Sequence, residues 1–313
     1  MKLNYITTSI VGTLLATSYQ AIANDISIYG KANVSINSVK KESKNTKQWE
    51  LNSNASRLGV SGKHIINDDI TAIYKMEYEV FIDDGNKNGS TFSQRNIYVG
   101  LKGHFGTFIV GKHDTPLKLA QGKVDRFNDQ VIGDIKNYME GEDRVSNIAM
   151  YTTPNFNGLS AVIAVVAAED ENDGVADGIS ASVKYTMDWL TASIANNSDI
   201  DGQNIVRFTT ETKFNNLKFG VLWQNAEKID DSSEEDSLLI SAEYKLDGGY
   251  SIKGQYGMTD YQNDKEDIQL AIGVDKRLSK NAKLFAYYSV IEKQVLRDSN
   301  DDSTLAVGFE LKF

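Results

Sequence analysis

Three histidines, His64, His104 and His113, are the only side chains in this 313-residue chain that could serve as a neutral-pH base without a strong shift. None stands in a Gly-x-Ser-x-Gly setting or at metal-ligand spacing from another histidine. With no cysteine there is no disulfide framework, thiol nucleophile or thiolate metal site, and the cysteine count names no redox compartment. Carboxylates run together at Asp170-Glu171, at Asp230-Asp231 with Glu234-Glu235-Asp236, and at Asp301-Asp302. Without the glycine and ligand periodicity of a calcium loop, these runs read as solvated faces or as carboxylates bridged by divalent cations. Lys and Arg number 33 against 43 Asp and Glu, a net charge of −10, which excludes a general nucleic-acid binder because phosphate needs a basic face. Neither a reaction nor a cofactor is expected.

The other chemistry-bearing group lies in one long connection, residues 113–143. Asp125, Asp129 and Asp134 are interspersed there with Leu117, Leu119, Val124, Phe127, Val131, Ile132, Ile135 and Tyr138. A solvated loop has no use for so many apolar side chains, and long ordered loops are usually functional. They are expected to pack against a wall, leaving the three aspartates to face whatever opening remains; a partner-facing loop is the alternative.

The elements that would position this loop alternate with period two. Ile26, Ile28, Ala32, Val34 and Ile36 share one parity, as do Ile179, Ala181, Val183, Tyr185 and Met187, and later Leu238, Ile240, Ala242, Tyr244 and Leu246. Short Gly/Asn/Asp connections at 67–68, 103–106, 154–158, 187–188, 215–216, 247–249 and 280–281 take turns with longer polar ones. The longer ones are read at 38–47, 83–90, 113–143, 169–177, 197–202, 225–236, 259–266 and 292–302, which gives sixteen strands. Residues 1–23 read as a secretory signal peptide: Lys2, an apolar stretch from Ile6 to Ala16, and a small-x-small Ala21-Ile22-Ala23. Its removal would take away Lys2 and make the charge one unit more negative. Beyond it no apolar run is long enough for a spanning helix.

An exported, alternating chain can be a sandwich or a transmembrane barrel. Strict exchange of short and long connections favours the barrel. So do aromatics near strand ends (Tyr29, Tyr151, Tyr185, Trp189, Trp223, Tyr244, Tyr250), where a headgroup-level girdle would lie. A final strand carrying Leu305, Val307, Phe309, Leu311 and Phe313 on one face agrees. The fold class expected is all-β, a sixteen-stranded antiparallel transmembrane β-barrel spanning 24–313.

The strand end "RNIYVGLKG", the following "HFGTFIVGKHDTP" and the terminal "AVGFELKF" together resemble the general bacterial porins of Gram-negative outer membranes. The resemblance runs from "DISIYGKANVSI" at Asp25 to Phe313. It implies a homotrimer in the outer membrane, a third external loop folded into the lumen, and lipopolysaccharide as a neighbour. It also implies a C-terminal Phe313 presented to the assembly machinery. Wall basic residues are implied at Arg57, Arg95 and Arg144. Arg57 fits the alternation, whereas Arg95 shares parity with Ile97, Val99 and Leu101, so a bulge or a protein-buried outer face must be assumed if it points inward. The function implied is passive diffusion of ions and small hydrophilic solutes. From the surplus of acids the expected preference is weakly for cations, with an anion- or nutrient-selective channel as the alternative and an adhesin or barrel enzyme behind it.

Overall fold

The computed structural model describes residues 25–42, 45–86, 89–169, 176–230, 232–262, 265–295 and 298–313. The expected signal peptide, Asp170-Glu171 and Asp231 fall outside them. The strands are β1 (Asp25–Lys41), β2 (Thr46–Ser53), β3 (Arg57–Ile65), β4 (Ile70–Val80), β5 (Phe92–Gly103), β6 (Gly106–Asp114), β7 (Arg144–Thr152), β8 (Leu159–Val166) and β9 (Gly178–Thr186). They continue with β10 (Leu190–Ile200), β11 (Gln203–Phe214), β12 (Leu217–Lys228), β13 (Glu234–Lys245), β14 (Tyr250–Tyr261), β15 (Lys265–Arg277), β16 (Ala282–Val295) and β17 (Asp298–Lys312).

Each strand pairs antiparallel with its neighbour in sequence, and β17 returns to β1 in the register Lys31↔Lys312 to Lys41↔Asp302. β2 and β3 are two pieces of one wall strand, because β1 pairs with β2 through Val34–Lys41 and with β3 through Asp25–Lys31. Ala55, in the left-handed region at φ 48°, makes the break. The result is a closed sixteen-stranded barrel. Closure matters in lipid, where an open edge would leave backbone groups unsatisfied at several kcal/mol each.

Alternation sorts the side chains radially. Ile194, Val206, Trp223, Ile240, Leu270, Ile272, Leu305 and Val307 are exposed on the outside, while their neighbours Ala195, Ile205, Leu222, Leu239, Ala271 and Ala306 are buried. Trp189, Tyr185, Tyr244 and Tyr250 sit exposed near the rim that carries the short connections. Tyr29, expected in the same girdle, instead points inward and donates a hydrogen bond to Glu77 at 2.9 Å.

Several connections read as long are short, since the strands continue past the apolar belt with polar side chains on both faces. β10 reaches Ile200 and β11 begins at Gln203. Positive φ at Asp199, Asp201 and Gly202 shapes that tight turn. The strand extensions also place acids outside the barrel, opposite one another in register: Glu227↔Glu234, Asp236↔Asp260, Asp260↔Glu266 and Glu292↔Asp301.

Candidate functional site

Between β6 and β7 the chain leaves the sheet. Thr115 caps a single helical turn, α1 (Pro116–Ala120), accepting from the Lys118 amide at 3.2 Å, with Pro116 at the first helical position. From there to Met139 the segment lies on the face opposite the apolar belt. Leu117 packs with Ala195, Ile205 and Ala226; Val124, Ile135 and Tyr138 pack with Leu222 and Leu239; Phe127 packs with Ala271, Phe285 and Tyr287. Wall hydroxyls and amides bond several of its carbonyls. Ser241 donates to the Val124 carbonyl (2.6 Å), Gln269 to Gly133 (2.7 Å), Ser289 to Ile132 (3.1 Å) and Thr259 to Tyr138 (2.5 Å). Gly257 carries no Cβ where one would strike the Tyr138 hydroxyl, at 2.1 Å.

The three expected aspartates take different places. Asp125 is buried inside the segment, its two oxygens accepting from the Phe127 and Ile135 amides at 2.9 and 3.2 Å. Burial, reinforced by Asp134, pushes its carboxyl well above the usual range. Asp134 is also buried, accepting from the Asp129 and Lys136 amides and pairing with Lys136 at 3.4 Å. Asp134 borders the cavity that the wall arginines line and Asp125 borders another with Lys253 and Asp275, but the oxygens of both are taken up by amides of the loop itself, so they also organise its turn. Asp129 alone of the three meets the wall. Its carboxylate lies 2.7 Å from Lys31 Nζ and 3.3 Å from Arg57 Nη2. Burial raises its titration point, but Lys31 and Arg57 together hold it below the ordinary value.

All three expected arginines line one cavity with Glu79, Asp114 and Lys136. Arg57 reaches Glu77 (3.7 Å), and Arg95 reaches Glu77 (3.0 Å) and Glu79 (3.3 Å). The bulge that Arg95 requires is present: Met76 pairs with Ile97 and Tyr78 with Gln94, so β5 holds Arg95 and Asn96 against Glu77 alone. Arg144 donates to Asn96 Oδ1 (2.9 Å) and pairs with Asp114 (2.9 Å).

Two cavities meet at this level. One, of about 800 Å³, extends toward Lys41 and Asp302; the other, of about 640 Å³, toward Lys312 and Phe313. Arg57, Asn128, Asp129 and Gln130 border both. In the second, Lys31, Arg57, Lys123, Arg126, Lys253, Lys283 and Lys312 face only Glu77, Asp129 and Glu310. Below it a belt of alternating sign follows the wall. Lys218 lies 3.9 Å from Glu243, and Asp275 lies 3.3 Å from Lys253 and 3.0 Å from Lys283. Arg126 from the segment adds to it, 2.8 Å from Glu211.

A profile of Gram-negative porins matches residues 7–294. The chain belongs to the Gram-negative porin family. This porin is 26% identical to outer membrane porin protein 32 of Delftia acidovorans over 94% of its own length and 90% of that protein's. It is 25% identical to a monosaccharide porin of a Halomonas species, over 68% and 63% of the two chains. Among solved structures, an anion-selective porin from Comamonas acidovorans superposes with a TM-score of 0.80 at 22% identity, covering 93% of this porin and all of that chain. The trimer form of OmpT from Vibrio cholerae superposes with a TM-score of 0.72 at 16% identity. Family membership places this porin in the outer membrane of a Gram-negative bacterium, among channel proteins and not enzymes.

Sequence reading missed Arg207, Lys31, Arg126 and Lys253. Arg207 shares its parity with Ile205 and Thr209, an ordinary pattern for any wall strand, so nothing in the local sequence marks it.

Proposed function

We propose that this porin is a water-filled passage for ions and small hydrophilic solutes, narrowed by residues 113–143 folded into the lumen, and that it favours anions. The observation that carries the reading is the lining at the shared level, where bases outnumber acids by seven to three in the cavity below Arg57 and Asp129. Above that level the balance is seven to six, counting Glu142, whose carboxyl burial pushes up to about 7. The acids that make the whole chain negative, such as Glu227, Asp236, Asp260 and Glu266, stand on outward-facing positions beyond the strand belt. Screening over ~8 Å at physiological salt confines selectivity to groups at the opening. The cation preference expected from net charge therefore gives way to the anion alternative, with which the anion-selective Comamonas porin of the same fold agrees.

A homotrimer is proposed by analogy with the OmpT trimer form. Phe313 is proposed as the C-terminal assembly signal: its backbone closes the barrel on Gly30, by N–H···O bonds of 2.9 and 3.1 Å. Lipopolysaccharide and the assembly machinery are the partners proposed around it. Purified protein in a planar bilayer under a salt gradient tests the reading. Stepwise conductance with an anion-favouring reversal potential supports it; silent membranes remove the pore, and a cation-favouring potential removes the selectivity.

A further inference from the structure

Arg207, midway along β11, is completely buried and serves no ion that passes. Its Nε and Nη2 both donate to Gln224 Oε1 on β12, at 2.9 and 2.7 Å. That fixes the plane of the guanidinium against the wall. The remaining N–H groups reach the two ends of the inserted segment at once. Nη1 donates to the Leu117 carbonyl (3.5 Å) and to Glu142 Oε1 (3.0 Å), and Nη2 to the Glu140 carbonyl (2.9 Å). Gln224 adds a bond from its own amide to the Glu140 carbonyl at 3.1 Å.

The backbone is shaped to this contact. Gly141 sits between the Glu140 carbonyl and the Glu142 carboxylate that Arg207 holds, at φ +84°, and a Cβ there would lie 2.7 Å from Leu117 Cδ2 and 3.1 Å from Arg207 Nη2. The chain can approach the guanidinium this closely only with glycine at that position. Elsewhere the segment is held by wall hydroxyls, amides and lysines that each satisfy one carbonyl or two, and by the ion pairs of Asp129 and Arg126, none of which joins its two ends. A planar fork with five donors is the one side-chain type that can join two chain ends and a wall amide in fixed relative positions.

We infer that Arg207 is a positioning residue that clasps both ends of 113–143 to the wall and thereby sets the width of the opening. This rests on the reading that the segment narrows the passage.

The test uses full-length trimer carrying Arg207→Met, with Arg207→Lys beside it. Both are measured for heat-modifiable folding, single-channel conductance and backbone amide exchange in residues 115–142. Arg207→Met is expected to fold, to exchange in that segment about a hundredfold faster, since several buried bonds are lost together, and to conduct more with added closures. Arg207→Lys keeps the charge near Glu142 but cannot reach Gln224, Leu117 and Glu140 in one geometry, so it is expected to show the same change. Should Arg207→Met fail to fold, the test passes to Arg207→Lys and to Gln224→Leu, which removes the acceptor that orients the guanidinium. Wild-type exchange and conductance in folded Arg207→Met or Arg207→Lys would overturn the assignment. Faster exchange with wild-type conductance would overturn it differently, by showing that the segment moves without limiting the current.

Discussion

Replacing Asp129 with Asn removes the segment carboxylate that pairs with the wall cations Lys31 and Arg57 while keeping its size. Lys31 and Arg57, now 2.7 and 3.3 Å from that carboxylate, would lose their counter-charge. The change is one unit charge at a distance of about 5 Å from a passing ion, worth about 0.8 kcal/mol in water. A screening length of ~8 Å cuts this to about 0.4 kcal/mol. Such a potential doubles the local anion population and halves that of cations, so the anion-to-cation permeability ratio should rise about fourfold. In 1 M salt, where the screening length is ~3 Å, the effect should shrink below about twofold. The assay is the reversal potential of single channels under a salt gradient, at two ionic strengths. A reversal potential identical to wild type at low salt, or a shift toward cations, would refute the placement of Asp129 at the opening.

Asp125→Asn, in contrast, should leave the reversal potential nearly unchanged, since that carboxyl is buried with both oxygens bonded to amides of the segment and burial pushes its titration upward; a shift as large as that of Asp129→Asn counts against its internal role. The Glu142 carboxyl, held up to about 7 by burial against an ordinary 4.5, takes up a proton more readily in the folded protein. Stability from this group is therefore present below about pH 4.5 and lost as pH rises through 7, an effect of about 3 kcal/mol at most. Asp143, raised to about 6 by burial, acts with the same sign. Melting of the folded band at pH 5 and pH 8 should accordingly separate less in Glu142→Gln than in wild type, and equal separations would contradict this. Gly30→Leu should slow outer-membrane insertion without affecting export, because a Cβ at Gly30 falls 2.3 Å from the Phe313 ring. Pulse-labelled fractionation showing wild-type insertion would dismiss that contact.

Period-two alternation and two kinds of connection were enough to read the sixteen-stranded barrel and its two faces, because strand geometry converts sequence parity directly into inside and outside. Arg57 came from the resemblance and agreed with the same parity, whereas Arg95, in phase with Ile97 and Val99, left a bulge or a protein-buried outer face open until the structure showed the bulge. The apolar residues of 113–143 likewise announced that this loop packs. Its aspartates could not be sorted in that way. Asp125 and Asp134 are turned inward by amides from Phe127, Ile135 and Asp129 that only the folded loop presents, while Asp129 is turned outward by Lys31 and Arg57 from strands far along the chain. The strand ends were misjudged because polar side chains on both faces erase the alternation above the lipid, as at Asp199 to Gly202. Which charges gather around the cavities was decided by tertiary structure alone. Net charge counts every acid equally, whereas the barrel puts Asp236 and Asp260 outside and gathers Lys31, Arg126 and Lys253 within, and screening lets only the second group act on a permeating ion.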